Sequence, residues 1–107
     1  MTAIKYSEAA ALDIEGIGDY ISDEQHRPGA ALKMVESILD AIDKLADFPH
    51  LGAPLTARVG VDTDYRYLVC NNYLVFYRLL DDKVFIDRVL HGKRDYVSIL
   101  FDGRSTG

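Results

Sequence analysis

Apolar positions change period midway along this chain. From Tyr65 to His91 they form three β-branched and aromatic runs, YRYLVC, YLVFYRLL and KVFIDRVLH, broken at Asn71-Asn72 and Asp81-Asp82. Asn and Asp tolerate positive φ, so each pair suits a two-residue hairpin turn, and the runs predict a three-stranded antiparallel meander. Upstream the period is helical. Ala10, Ile14, Ile17 and Ile21 recur at steps of four, three and four, which places them on one helix face. Ser7 offers an N-cap, and Glu8 suits the positive end of the helix dipole. Pro28 can sit in the first turn of a second helix. Its stripe runs Ala31, Leu32, Val35, Ile38, Leu39, Ile42, Leu45, Phe48 and stops at Pro49. From Gly29 to Phe48 such a helix is about 30 Å long. The two helices predict an antiparallel hairpin with one apolar surface, preceded by a short strand at Ala3–Tyr6.

The turns also set a register. Two-residue loops pair Cys70 with Tyr73, Arg66 with Tyr77, and Tyr77 with Ile86. One sheet face then carries Val75, Tyr77, Ile86, Arg88 and Leu90; the other carries Leu74, Phe76, Asp87, Val89 and His91. Both faces are largely apolar. The helix hairpin covers one, and the other is expected to lie open as a partner surface. Asp13, Glu15, Asp19 and Asp23 fall mostly off the first helical stripe and are expected in solvent. Gly16 and Gly18 predict close packing against a neighbouring helix. A G-x-G inside a helical pattern, with no strand of any length before it, does not make a nucleotide loop. Residues 50–63 hold Gly52, Pro54 and Gly60 without a period and read as a surface loop. Residues 102–107 read as a loose tail. The whole is an α+β domain, a helix hairpin on a mostly antiparallel sheet.

Composition narrows the chemistry. With 107 residues, 49% of them hydrophobic, residues 1–107 suit one domain with a modest core. The net charge of -5 is uneven: residues 1–57 hold four Lys/Arg against ten Asp/Glu, and residues 58–107 eight against seven. A protein that lived by gripping phosphate backbones would usually be basic, so any nucleic-acid contact must come from a local patch. Cys70, the single cysteine, allows neither an internal disulfide nor a thiolate metal site. The first residues suggest neither a signal peptide nor a membrane span, so a soluble, cytoplasmic protein without membrane association is expected.

His26, His50 and His91 are scattered, with no second ligand at metal spacing, so neither a metal nor a cofactor is expected. No serine sits in a nucleophile elbow, and Asp81-Asp82 serves a turn. There remain Arg66, Arg88, His91, Lys93, Arg94 and Tyr96. Guanidinium and ammonium groups hold phosphate or carboxylate, imidazole moves a proton near neutrality, and a tyrosine hydroxyl completes a set for phosphodiester binding or acid–base cleavage of RNA. On chemistry alone the simpler reading is structural, with Arg66 and Arg88 paired to Asp87, Asp64 or helix acids.

The L-x-x-F-P-x-x-G of Leu45–Gly52, the Arg66–Leu68 run, Y-L-V-F-Y-R at Tyr73–Arg78 and V-F-I-D-R-V-L-H-G-K-R-D at Val84–Asp95 together resemble the RelE/ParE superfamily of toxins from type II toxin–antitoxin systems. The resemblance covers about residues 4 to 100. It implies a β-α-α-β-β-β order, hence a four-stranded sheet, with a short C-terminal helix. It also implies a cognate antitoxin that wraps the toxin in a hetero-oligomer. RelE-like members cleave mRNA on the ribosome; ParE-like members poison DNA gyrase by binding. Arg94 matches a catalytic arginine of the nuclease branch. Leu74 and Leu100 stand where that branch carries an arginine and a tyrosine, and its basic surface is missing. The resemblance therefore favours a ParE-like gyrase inhibitor with no catalytic residue. Its target contacts would be Arg66, Arg88, His91, Lys93 and Arg94. The rival is a ribosome-dependent endonuclease in which Arg94, His91 and Tyr96 act, with the ribosome and mRNA as partners. A third reading is a decayed toxin kept as an antitoxin-binding partner.

Overall fold

A computed structural model describes residues 2–101. The order is β1 (Ala3–Tyr6), α1 (Glu8–Asp19), a π-helical turn at Tyr20–Glu24, α2 (Pro28–Asp43), a 3-10 turn at Lys44–Ala46, β2 (Ala53–Pro54), α3 (Thr56–Val59), β3 (Tyr65–Cys70), β4 (Tyr73–Leu80), β5 (Lys83–His91) and α4 (Tyr96–Phe101). The expected α+β architecture is present: a helix pair lies on a sheet that is antiparallel except where β1 runs parallel to β5. Among the described residues the sheet has five strands, ordered β1-β5-β4-β3-β2. The extra one, β2, is two residues long and pairs with β3. The expected tail at 102–107 lies outside the described residues.

Local chemistry explains the elements. Positive φ at Asn71, Asp81 and Asp82 makes the hairpin turns. Ser7 caps α1 by accepting the Ala10 N–H at 2.9 Å. Gly18 of α1 lies so close to α2 that a Cβ would stand 3.2 Å from Val35 Cγ2, whereas Gly16 faces open space. Leu32, Leu39 and Phe48, read as part of the buried stripe, are 61%, 37% and 64% exposed. The regular helix stops at Asp43, so Phe48 leaves the phase of the stripe.

The register begins as the turns dictate: Cys70 faces Tyr73, Arg66 faces Tyr77, and Tyr77 faces Ile86. It then slips. Phe76 pairs with Arg88, Val75 with Val89, Leu74 with Leu90 and Tyr73 with His91, leaving Asp87 as the extra residue of a β-bulge. The faces after the bulge are therefore exchanged relative to expectation. Val89 joins the hairpin-side core, and Leu90 joins the other side. Groups outside the ladder hold the bulge. The Ser7 hydroxyl donates to the Asp87 carbonyl at 2.7 Å. The Asp13 carboxylate accepts the Val89 N–H at 2.9 Å and two Arg88 guanidinium bonds at 2.7 and 2.9 Å. Asp13, expected in solvent, is thus a structural anchor.

The second sheet face is not open. Leu55, Leu74, Phe76, Leu90 and Leu100 form a second buried cluster, joined by Val59, Tyr65, Tyr67, Tyr96, Ile99 and Phe101. The covering pieces are α4 and the 53–59 segment, which had read as plain loop. Its fully buried Leu55 anchors it, and its backbone adds β2 to the sheet. Gly52 marks the entry. The Tyr77 hydroxyl accepts its N–H and donates to the Pro49 carbonyl, both at 2.9 Å, and a Cβ at Gly52 would sit 2.5 Å from the Tyr67 carbonyl oxygen. Only glycine fits the L-x-x-F-P-x-x-G motif there.

Tyr65 stands at the edge of this second cluster, its ring edge-on to Phe101 and under the Arg78 guanidinium. Arg78 pairs with Asp87 at 3.0 Å. Burial, then a hydrogen bond to Asp87, pushes the Tyr65 phenol up to about 12. The folded chain therefore holds this proton more tightly than an unfolded chain, whose tyrosines titrate near ~10. The resulting stabilisation is complete below about pH 10 and is lost as pH rises from there through about 12. Tyr65→Phe is expected to flatten the alkaline limb of a stability-versus-pH curve measured by denaturant titration. An unchanged limb contradicts this coupling.

Candidate functional site

The site grows from the place where β5 ends. The Gly92 N–H donates to the Asn72 carbonyl at 2.8 Å, tying the strand end to the β3–β4 turn. The Arg94 N–H donates to the His91 carbonyl, and the Tyr96 N–H to the Arg94 carbonyl, both at 2.9 Å. Asp95 then starts α4: its carboxylate accepts the Ser98 hydroxyl at 2.8 Å and the Ser98 N–H at 3.4 Å. The polar sequence His91–Tyr96 is thereby folded into a tight turn with side chains on both sides of the sheet end.

Two clefts flank that turn and share Asn72 and His91. The larger, about 720 Å³, lies on the helix-hairpin side and is lined by Tyr20, Ile21, Gln25, Arg27, Ala30, Met34, Tyr73 and Arg94 as well. The smaller, about 340 Å³, is completed by Arg58, Val69, Asn71, Leu74, Gly92 and Lys93. Arg94 thus lines the hairpin-side cleft. The Tyr96 ring lies in the second cluster, tilted on Phe76 at 5.1 Å, and its hydroxyl accepts from Arg58 Nε at 2.7 Å. His91 is edge-on to Tyr73 at 5.4 Å, and its Nδ1 accepts the Lys93 N–H at 3.1 Å.

The other sequence candidates are occupied elsewhere. Arg88 is held by Asp13, which raises the guanidinium's affinity for its proton. Arg66 donates to the carbonyls of Gly52 at 2.6 Å and His50 at 3.2 Å, bracing the segment before β2. His91, Lys93 and Arg94 therefore share one strand end, without Arg66, Arg88 or the Tyr96 ring. Sequence reasoning missed Arg58, Arg27, Tyr20 and Tyr73. The first sits in a segment without period. The others are assembled only by tertiary structure. Among the described residues no group of three His, Cys, Asp or Glu is placed to hold a metal ion. No helix among them is long and apolar enough to cross a membrane.

Leu74 and Leu100 are 4% and 7% exposed and belong to the same apolar cluster. The cluster that Leu74 of β4 and Leu100 of α4 share fastens α4 to the sheet.

Comparison with known proteins places this arrangement. The model of the ParE toxin of the type II toxin–antitoxin system parDE matches residues 4–96. Toxin RelE2 of Caulobacter vibrioides is 32% identical over 94 residues, which are 88% of this chain and 99% of that protein. A structure of the chromosomal ParDE system from P. aeruginosa superposes with a TM-score of 0.72 at 24% identity, covering 85% of this chain and 96% of that one. The fold is the same helix pair on a sheet. The chain belongs to the ParE toxin family, within the RelE/ParE superfamily of type II toxin–antitoxin systems.

Proposed function

We propose that this toxin acts as ParE-like members do, by binding and inhibiting DNA gyrase, and that it is not a nuclease. The observation that carries this reading is the mutual burial of Leu74 and Leu100. A developing charge on a scissile phosphate needs a donor such as arginine, and a leaving oxygen needs a proton. Leucine supplies neither, and losing one such electrostatic donor typically lowers a rate by ~10²–10³. The rival trio is also divided, since Arg94 lines the hairpin-side cleft while the Tyr96 hydroxyl is bonded to Arg58 on the other side. Inhibition by binding needs only a complementary surface, and His91, Lys93 and Arg94 supply a cationic edge for it.

The cognate antitoxin is then assigned to the helix hairpin. Leu32 and Leu39 lie seven residues apart on one side of α2 and are exposed, and an amphipathic antitoxin segment would cover them. The second reading, ribosome-dependent mRNA cleavage, draws its support from Arg94, which matches the catalytic arginine of the nuclease branch. Expression of the toxin without antitoxin separates the two. We expect loss of plasmid supercoiling and a DNA-damage response, with translated mRNAs intact. Arg94→Ala is expected to weaken toxicity only in part, through lost target contacts. Codon-positioned cuts in ribosome-bound mRNA, abolished by Arg94→Ala, would move the protein to the nuclease branch.

A further inference from the structure

The larger cleft has a property at odds with the rest of the molecule. The chain holds seventeen Asp and Glu and carries a net charge of -5, yet among the described residues no carboxylate lines this cleft. Its charged groups are Arg27 and Arg94. Neither side chain makes a hydrogen bond or ion pair with another described residue, in contrast to Arg58, Arg66, Arg78 and Arg88, which are all engaged. Gln25, Asn72, Tyr20 and Tyr73 add side chains that can donate as well as accept. His91 accepts at Nδ1, so its ring hydrogen is on Nε2. Burial and then the neighbouring Tyr20 push the Tyr73 phenol up. Tyr20 is 54% exposed at the cleft mouth.

The backbone departs from regular geometry to build this wall. The end of α1 widens into a π-helical turn at Tyr20–Glu24, and His26 adopts a φ of 54° immediately before Arg27. A left-handed conformation costs a non-glycine residue about 1–2 kcal/mol, and π-helical turns are frequent at functional sites. Tyr20 opens the widened turn, Gln25 lies between it and the left-handed His26, and Arg27 follows; all three line the cleft.

We propose that this cleft binds a nucleoside phosphate, with Arg27 and Arg94 on the phosphate oxygens and the Tyr20 and Tyr73 rings against the base. Guanidinium forks match phosphate oxygens in pairs. Bases of any sequence stack on aromatic rings. A cleft of about 720 Å³ falls within the ~300–1,000 Å³ typical of small-molecule sites. The assignment goes beyond gyrase inhibition and does not depend on it, because binding is read on the purified chain in the absence of any target.

The test is calorimetric titration of the full chain with ADP, inorganic pyrophosphate and an oligoglutamate peptide. Saturable ADP binding is expected, with pyrophosphate weaker and competitive. Arg27→Gln and Arg94→Gln are each expected to weaken ADP by about tenfold, the loss of one charge-assisted contact. Tyr20→Ala is expected to weaken ADP while leaving pyrophosphate unchanged, which separates base stacking from phosphate capture. All three side chains are exposed, so an unchanged melting temperature confirms that the variants fold. No saturable ADP binding at millimolar concentration overturns the proposal. So does ADP binding indifferent to both arginine variants, pyrophosphate binding as tight as ADP, or oligoglutamate binding more tightly than ADP.

Discussion

Asp13→Ala is expected to destabilise the toxin by about 2–4 kcal/mol, a large share of the ~5–15 kcal/mol that holds a domain of this size together. One carboxylate accepts three bonds: Arg88 Nε at 2.7 Å, Arg88 Nη2 at 2.9 Å and the Val89 N–H at 2.9 Å. The side chains of Arg88 and Asp13 are only 28% and 14% exposed, so water replaces the lost acceptor poorly. Alanine leaves the guanidinium without its counter-ion and the N–H after the bulge without its acceptor. Breaking a buried pair from one side costs more than the pair is worth intact, because the surviving charge stays desolvated. Arg88→Leu in the Asp13→Ala background should therefore recover part of the loss. A double-mutant cycle by denaturant titration measures the coupling. Additive single losses, or an Asp13→Ala loss below about 0.5 kcal/mol, the usual range for a surface substitution, contradict the anchoring role.

Asp13 also marks where the sequence stops being legible. The meander could be read because its information is local: Asn71 and Asp81-Asp82 accept positive φ, and two-residue turns then dictate the pairing next to them. The bulge at Asp87 could not, because its supports come from Ser7 and Asp13, more than seventy residues away. One unseen residue was enough to exchange Val89 with Leu90 between faces. The 50–63 segment hid its structure for a related reason. Leu51, Leu55 and Val59 are interrupted by Gly52 and Pro54, and the burial of Leu55 depends on a sheet face that periodicity cannot position. The helix stripe failed at Leu32, Leu39 and Phe48 because a period of apolar residues predicts a face and not what covers it.

The candidate site divides in the same way. His91, Lys93 and Arg94 were visible as a cluster because they are neighbours in sequence at the end of a strand. Tyr96 looked like a fourth member, but the cap at Asp95 sends it into α4 and onto Phe76. Arg27 and Tyr20 join Arg94 only through the π-helical turn and the left-handed His26, neither of which leaves a sequence signal. Arg66 and Arg88 had equally good credentials on paper, and ion pairing or carbonyl contacts absorbed them.

Leu74→Arg, which restores the arginine of the nuclease branch, is expected to cost the fold about 3–5 kcal/mol and to give no RNA cleavage. Leu74 sits on β4 in one apolar cluster with Phe76, Leu90 and Leu100 of α4, and the charged residues that share a cleft with it, Arg58 and Lys93, are cations. A guanidinium there has three options. It remains buried and unpaired, it reaches solvent by lifting α4, or it turns into the smaller cleft that Leu74 lines, where Arg58 and Lys93 repel it. Helix α4 is six residues long, too short to persist once undocked, so the second route forfeits the burial of Leu100 and exposes Phe76. Leu74→Met, which conserves volume and polarity, is expected to cost less than about 1.5 kcal/mol. The pair is read by denaturant titration, and by limited proteolysis, which should cut near residue 96 in the arginine variant alone. If Leu74→Arg instead keeps wild-type stability and acquires ribosome-dependent cleavage, α4 is a movable cover over a nuclease site, and the argument from leucine burial fails.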